Sequence, residues 1–368
     1  MNNNLYIQIM KFKYLFFWAF MAVGLLASCS SDDDQPTEII DPVDYLEGYY
    51  VVNEGVFGSG DASVSLVNLE GDYLVRDLYG EANDGASLGD VGQSIGFYGE
   101  YAFIIVNVSQ KVVVVDRSTF EEVATIDQGL VNPRYITFLN DKAYISDWGD
   151  GSDPMDDVIA EVDLESFEII NKIVVPEGPE KIQEHQGSLY VTFIGGWGFN
   201  DIVGVIQPEI QNLQEYQVGV MPNSMAIEDG SLWIAANGYP NYTGEESAGK
   251  ITQFDLATME VVQEFELPNA TDHPGNLVVE DGQVYYTIGK QLYSFSTQAT
   301  ELPTEPVAQL SEVTVLASMA TDGELLLVTS RNADFTGNGK LLVYDLNNYS
   351  LINTYDVGVN PSEIYVVE

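Results

Sequence analysis

From about residue 48 onward the chain is built of short apolar runs separated by turn-forming residues. Seven such runs stand out: Tyr49–Asn53 (YYVVN), Tyr101–Asn107 (YAFIIVN), Lys142–Trp148 (KAYISDW), Ser188–Ile194 (SLYVTFI), Ser231–Asn237 (SLWIAAN), Gln283–Gly289 (QVYYTIG) and Glu324–Ser330 (ELLLVTS). Each is rich in β-branched and aromatic residues with partial alternation, the pattern of a strand that buries much of both faces. They recur at intervals of roughly 40 to 50 residues, so a repeated unit has to be considered before any single element.

Six of the seven runs follow a tight-turn signal: Gly99-Glu100, Asn140-Asp141, Gln186-Gly187, Asp229-Gly230, Asp281-Gly282 and Asp322-Gly323. Such pairs suit two-residue hairpins, whose central residues need positive φ. Another strand precedes each turn, as in Tyr135–Leu139 and Asn276–Glu280. A third ends in an acid able to cap the next turn (Asp116, Asp163, Asp255, Asp345), and a fourth follows, as in Val123–Ile126, Ile169–Val174 and Val261–Phe265. Four antiparallel strands repeated radially predict an all-β, seven-bladed β-propeller. A pair of β-sandwiches is the competing architecture, and the regularity of the turns speaks against it. The first repeat, at Glu47-Gly48, begins with its second strand. The C-terminal stretch NPSEIYVVE is expected to supply the missing innermost strand through Glu363–Val367, closing the ring. Its leading Asn360-Pro361 matches Asn132-Pro133, Gly178-Pro179 and Met221-Pro222.

Ahead of the repeats, Lys11 and Lys13 precede an apolar run, Tyr14–Leu26, of signal-peptide length, and Met10 is a possible start. Leu26-Ala27-Ser28-Cys29 resembles a bacterial lipobox, which implies that Cys29, the only cysteine, is the lipid-attachment residue. Ser30-Ser31-Asp32-Asp33-Asp34 resembles the surface-export signal of Bacteroidetes lipoproteins, and it also reads as a flexible acidic tether. The expected organisation is a signal peptide at 1–28, an acylated acidic tether at 29–47 and the propeller at 48–368. The expected location is the outer membrane, lipid-anchored and exposed at the cell surface.

Charge narrows the partners. With 13 Lys+Arg against 57 Asp+Glu the formal charge is −44, so nucleic acid would be repelled, and contact with a membrane is expected through the lipid alone. A single cysteine forbids an internal disulfide, and two distant histidines, His185 and His273, make a Cys/His zinc site implausible.

The repeat unit resembles the YVTN-type propeller repeat, with Tyr190-Val191-Thr192 close to that signature. Tyr50-Val51-Val52-Asn53-Glu54-Gly55, followed by Gly58-Ser59-Gly60 and Ser63-Val64-Ser65, resembles the first blade of surface propeller lipoproteins of Bacteroidetes. Some of these capture cobalamin. The resemblance therefore implies a small-molecule partner, with cobalamin or another corrinoid as the best candidate, and an outer-membrane TonB-dependent transporter.

In a propeller the loops joining strands 2 and 3, and strand 4 to the next strand 1, share one face. Five of the 2–3 loops are long: Asn53–Ala62, Asp147–Asp157, Gly195–Asp201, Asn237–Gly249 and Arg331–Gly339. Long loops on a rigid scaffold are where binding usually resides. They carry Phe57, Trp148, Trp197, Phe199, Tyr239, Tyr242 and Phe335, able either to stack on a flat ligand or to stiffen the rim. Asn53, Asn107, Asn132, Asn223, Asn237, Asn276 and Asn332 could hydrogen-bond a ligand rich in amides or hydroxyls, or simply serve the turns. Arg134 and Arg331 could meet a ligand anion or pair with nearby acids. Asp147, Asp150 and Asp153 are weak Ca²⁺ candidates, because their spacing does not match an EF-hand loop; otherwise no cofactor is expected. Enzyme signatures are missing: Gly337-Asn338-Gly339-Lys340 lacks the earlier P-loop glycine, and no G-x-S-x-G elbow occurs. The expected function is non-enzymatic ligand capture on the loop face. The alternatives are a lyase or lactonase using a metal or His273, and an adhesion or scaffold module binding protein or glycan.

Overall fold

The computed structural model describes residues 47–69, 71, 73–153 and 155–367. The expected signal peptide, Cys29 and nearly all of the tether lie outside them. The described chain folds into seven four-stranded antiparallel sheets. The first contains β1 (Gly48–Asn53), β2 (Ser63–Val67) and β3 (Leu74–Val75), followed by a short helix, α1 (Leu78–Ala82). Asp77 caps α1 by accepting from the Gly80 amide.

Blade 2 is β4 (Gly92–Tyr98), β5 (Tyr101–Val106), β6 (Lys111–Asp116) and β7 (Glu122–Ile126). Blade 3 is β8 (Pro133–Leu139), β9 (Lys142–Asp147), β10 (Val158–Asp163) and β11 (Glu168–Val174). Blade 4 is β12 (Pro179–His185), β13 (Ser188–Phe193), β14 (Ile202–Gln207) and β15 (Asn212–Gln217). Blade 5 is β16 (Pro222–Glu228), β17 (Ser231–Ala236), β18 (Lys250–Asp255) and β19 (Val261–Glu266). Blade 6 is β20 (Pro274–Glu280), β21 (Gln283–Ile288), β22 (Gln291–Ser296) and β23 (Ala308–Gln309). Blade 7 is β24 (Val315–Thr321), β25 (Leu325–Arg331), β26 (Asn338–Asp345) and β27 (Leu351–Val359). The last strand, β28 (Pro361–Val367), pairs with β1 to complete blade 1 as the ring closure predicted.

The alternation of side chains explains the apolar runs. In β1, Tyr50 and Val52 pack towards blade 2 with Ile104, Val113 and Phe120. The intervening Tyr49 and Val51 pack towards blade 7 with Leu327, Leu341 and Val357. Successive strand residues point to opposite faces, so a blade sandwiched between two others buries both sets. Every residue of β1 and β2 is buried for this reason. Each fully buried Val or Ile contributes about 1.5–3 kcal/mol, so these interfaces provide much of the fold's stability.

The hairpin signals also have their expected geometry. Gln186 and Gly187, Asp229 and Gly230, and Asp281 and Gly282 all take positive φ at both central positions. The acids ending the third strands cap the turns after them. Asp116 accepts from the Ser118 and Thr119 amides, Asp163 from Glu165 and Ser166, Asp255 from Ala257 and Thr258, and Asp345 from Asn347. Hydrogen bonds to the charged form hold Asp116, Asp163 and Asp255 below the usual carboxylate range.

The closing strand is tied on both sides. Glu54 and Gly55 amides donate to the Asn360 and Val359 carbonyls, and Ser362 Oγ donates to the Val52 carbonyl at 3.2 Å. Ile364 is buried in the interface between blades 7 and 1. Deleting residues 360–368 should therefore abolish cooperative unfolding, read by circular dichroism during a thermal ramp. A truncated chain that melts cooperatively at the full-length Tm would show that β28 is dispensable.

Candidate functional site

The innermost strands β4, β8, β12, β16, β20, β24 and β28 line the centre of the ring, and their N-terminal ends share a face with the 2–3 loops. A cavity of about 650 Å³ opens among these strands. Its titratable lining is Glu180, Lys181, His273 and Glu363, and its amide lining is Asn223, Asn237 and Asn276. Met225, Leu277, Leu316, Met319 and Ile364 give it an apolar side. The volume lies in the range of ordinary small-molecule sites.

Proline begins five of the seven inner strands (Pro133, Pro179, Pro222, Pro274 and Pro361). With no amide hydrogen and φ fixed, it suits a strand's first residue, just after the chain turns in from the rim. The residue before it can take a left-handed conformation, as Met221 (φ 57°) and Asn360 (φ 52°) do. One or two positions later, side chains meet around the axis. Arg134 Nε and Nη2 form a paired interaction with the Glu180 carboxylate at 2.9 and 2.8 Å, and Nη1 donates to Gln93 Oε1 at 2.6 Å. The guanidinium also sits 4.1 Å from the Trp148 ring centroid. Burial opposes the charge on Arg134, but Glu180 outweighs it and holds the group above its ordinary value.

Beside this pair, Tyr135 Oη and Lys181 Nζ both donate to Glu363 Oε1, at 2.7 and 2.6 Å, and Lys181 lies over the Tyr135 ring. Burial, then the Glu363 charge, pushes the Tyr135 phenol far above its usual range. The belt joins blades 2, 3 and 4 to the closing strand. It emerged only from the folded ring, though the positions just after each inner-strand proline carried the signal.

At the mouth, Asn223 Nδ2 donates to Asn237 Oδ1 at 2.7 Å and to the Pro274 carbonyl at 2.9 Å. His273 uses both ring nitrogens, Nδ1 2.8 Å from the Asn237 carbonyl and Nε2 3.2 Å from Glu246 Oε1. It thus clamps the Asn237–Gly249 loop from both ends. Asn241 and then His273 hold the Glu246 carboxyl below its usual range. The Asn237 amide nitrogen and the Asn276 amide oxygen have no partner among the described residues, which leaves one donor and one acceptor at the cavity wall.

The loop aromatics divide into two groups. Trp148 is structural: its indole donates to the Pro179 carbonyl at 2.9 Å beneath Arg134. Phe199, Tyr239 and Tyr242 cluster across the loops of blades 4 and 5, with Phe199 centroids 5.4 and 6.4 Å from the two tyrosines. Tyr242 is 78% exposed and Trp197 67%. A Cβ at Gly151 would lie 2.3 Å from Trp197 Nε1, so the bare glycine lets that indole lie close against the neighbouring loop. Phe57 and Phe335 are also exposed, on the loops of blades 1 and 7, away from this cluster in the ring order.

The remaining candidates make contacts within the protein. Asn53 is fully buried and donates to Ser63 Oγ and Ser65 Oγ at 3.1 and 3.0 Å. Asn107 donates to the Pro133 carbonyl and Asn132 to the Gly149 carbonyl. Asn332 accepts a 3.5 Å contact from the Asp334 amide. Arg331 pairs with Glu54 at 2.7 Å and donates to the Pro361 carbonyl. Asp147 accepts from the Val131, Asn132 and Gly149 amides, Asp150 from Ser152, and Asp153 from Met155. Among the described residues no group of three or more His, Cys, Asp or Glu side chains is arranged to hold a metal ion.

Together these features define a seven-bladed β-propeller with a loop-face cavity. The sequence matches the family described as Domain of unknown function (DUF5074) over residues 47–357, and the chain belongs to that family. No curated protein matches it. Solved structures share the architecture at low identity. Dihydro-heme d1 dehydrogenase NirN in complex with DHE has a TM-score of 0.56 at 14% identity, covering 88% of this chain and 76% of that one. BamB from Moraxella catarrhalis has a TM-score of 0.54 at 14% identity, covering 85% and 83%. The computationally designed Ika8 protein has a TM-score of 0.54 at 12% identity, covering 86% and 90%. At such identities the likeness is one of fold.

Two outcomes follow for this face. Arg134→Ala leaves Glu180 buried without its cation, so it should lower unfolding stability by about 3–5 kcal/mol in urea melts. Unchanged stability would free Arg134 for a ligand instead. Asp157, 2% exposed, accepts from the Gly178 amide at 2.7 Å, and burial pushes its carboxyl from 3.8 up to about 6. The raised value means that the fold favours protonated Asp157. Its contribution is full below pH 4 and is lost as pH rises through about 6, a span worth up to about 3 kcal/mol. Asp157→Asn should remove that part of the pH dependence, read as the difference between wild-type and variant urea midpoints from pH 4 to 7. Parallel profiles would place the titration elsewhere.

Proposed function

We propose that this protein is a surface-exposed lipoprotein of the outer membrane that captures a small molecule on the propeller's loop face. The ligand then passes to a TonB-dependent transporter, and the molecule best suited to the site is a corrinoid. The observation that carries this reading is the exposed aromatic cluster of Phe199, Tyr239 and Tyr242 beside a roughly 650 Å³ cavity. Aromatic faces stack on a flat ring, and the open donor of Asn237 and acceptor of Asn276 suit an amide-fringed one. The macrocycle lies across the rim, because the cavity alone is smaller than a whole corrinoid with its nucleotide loop. Anchoring through Cys29 follows from the lipobox resemblance and keeps the binding face outside the cell. His273, held at both ring nitrogens, acts in this reading as a loop clamp and not as a catalytic base.

Isothermal titration of the chain lacking residues 1–29 with cobalamin, cobinamide and haem tests the reading. Corrinoids should bind, and Phe199→Ala with Tyr242→Ala should weaken them by at least about tenfold while Tm stays unchanged, since stacking on an aromatic ring contributes about 1–3 kcal/mol per contact. Silence towards both corrinoids would overturn it, as would full affinity in the double variant.

A further inference from the structure

A second cavity, also of about 650 Å³, lies away from the ring centre between the outer parts of blades 5 and 6. Its existence follows from an irregularity in blade 6. The outer strand β23 has only two residues and pairs only with Gln291 and Leu292 of β22. The chain between Ser296 and Ala308 instead loops out, and Leu302 packs back onto the core shared by blades 5 and 6. The space left is walled by β19 and the segment after it, by the ends of β21 and β22, and by that loop.

Four carboxylates line the cavity: Glu264, Glu266, Asp272 and Glu301. Among the described residues no Lys, Arg or His lines it. Lys250 reaches Glu264 at 3.0 Å, and Asp272 accepts from Asn269. Among the described residues no such partner meets Glu266 or Glu301, and both are exposed. Clustered acids alone would be a solvated surface. Tyr286 makes this place different. It is 1% exposed overall, it lines the cavity, and no described residue hydrogen-bonds its hydroxyl. The hydroxyl is not sealed off: it keeps contact with the cavity, where a bound group can accept from it. Burial, then Tyr293 and Asp272, raises its phenol well above the usual range, so it stays a neutral donor. Tyr293 stacks on it with centroids 5.2 Å apart and planes 18° from parallel, and Phe265 and Leu267 add apolar surface.

We propose that this cavity is a binding site for a small organic ammonium compound. The uncompensated carboxylates supply the counter-charge, the stacked tyrosines an electron-rich wall for the cationic head, and the Tyr286 hydroxyl a donor to a polar substituent such as an alcohol oxygen. Phosphates and carboxylic acids are excluded by the same charges. The site shares no lining residue with the central cavity, so it works whether or not the loop face binds a corrinoid.

Choline and putrescine are the probes, with 3,3-dimethyl-1-butanol as the uncharged counterpart of choline, titrated by calorimetry into the chain lacking residues 1–29. At least one amine should bind with Kd below about 1 mM, the uncharged alcohol should not, and raising the salt should weaken binding. Glu266→Gln with Glu301→Gln should cost the bound amine at least about tenfold, and Tyr286→Phe should weaken choline, each with Tm retained. The inference is overturned if neither amine binds, if the alcohol binds as well as choline, or if the folded Glu266→Gln, Glu301→Gln variant keeps wild-type affinity.

Discussion

Six Cα pairs between β1 and β28, from Gly48 with Val367 to Asn53 with Pro361, join the two ends of the propeller. Each blade buries both faces against its neighbours, so an open ring would expose two faces of aliphatic and aromatic side chains to water. Blade 1 feels this most. Without β28 its innermost strand is missing, Ile364 leaves the interface of blades 7 and 1, and the Glu363 carboxylate leaves the central belt. Closure is thus a packing event and an electrostatic one at once. The same strand that completes a hydrophobic blade delivers the acid on which Tyr135 and Lys181 converge.

The belt explains why the central cavity is so irregularly lined. On the side of blades 2, 3 and 4, Gln93, Arg134, Glu180, Tyr135, Lys181 and Glu363 satisfy one another. On the side of blades 5, 6 and 7 the lining is amide and aliphatic: Asn223, Asn276, Leu277, Leu316 and Met319. The polar half is committed to the scaffold, because removing any buried charged member strands its partner. The open amide and aliphatic groups therefore lie on the other half, next to the loops that carry Phe199, Tyr239 and Tyr242.

Strands and hairpins were legible because their signal is local. Asp229-Gly230 before SLWIAAN specifies a turn and then a strand without reference to distant residues. The polar chemistry was less legible because it depends on which residues the ring brings together. An Asn at a strand end reads the same at Asn53, which is sealed against Ser63 and Ser65, and at Asn237, whose amide nitrogen is open. Arg134 and Arg331 read alike too, and both proved to be paired with acids. One local signal went unread. Phe120, Phe167, Met259 and Tyr349 each sit four residues after a turn-capping aspartate in a left-handed conformation, at φ between 55° and 59°. Such a backbone is unusual for large side chains, and burial of Phe120 shows how packing sustains it. The blade 5–6 cavity was illegible for another reason: Glu266 and Glu301, far apart in sequence, come to line one cavity where β23 is short.

The scarcity of cations connects these observations. Among the described residues, Arg134, Lys142, Lys181, Lys250 and Arg331 are each bound to a glutamate, while Lys290 and Arg76 donate to backbone carbonyls. Much of the positive charge is thereby held within the scaffold, while the acids remain in large excess. A field of that sign admits neutral and cationic ligands and repels anionic ones. It acts differently at the two cavities. Stacking of a ligand on the loop-face aromatics would depend on contact area and change little with salt, whereas attraction of a cation to the exposed Glu266 and Glu301 would be screened over about 10 Å at 0.1 M salt. On the two proposed readings, one acidic chain would hold two ligand classes apart: a flat ring at the loop-face rim by shape, and a small cation at the outer edge by charge.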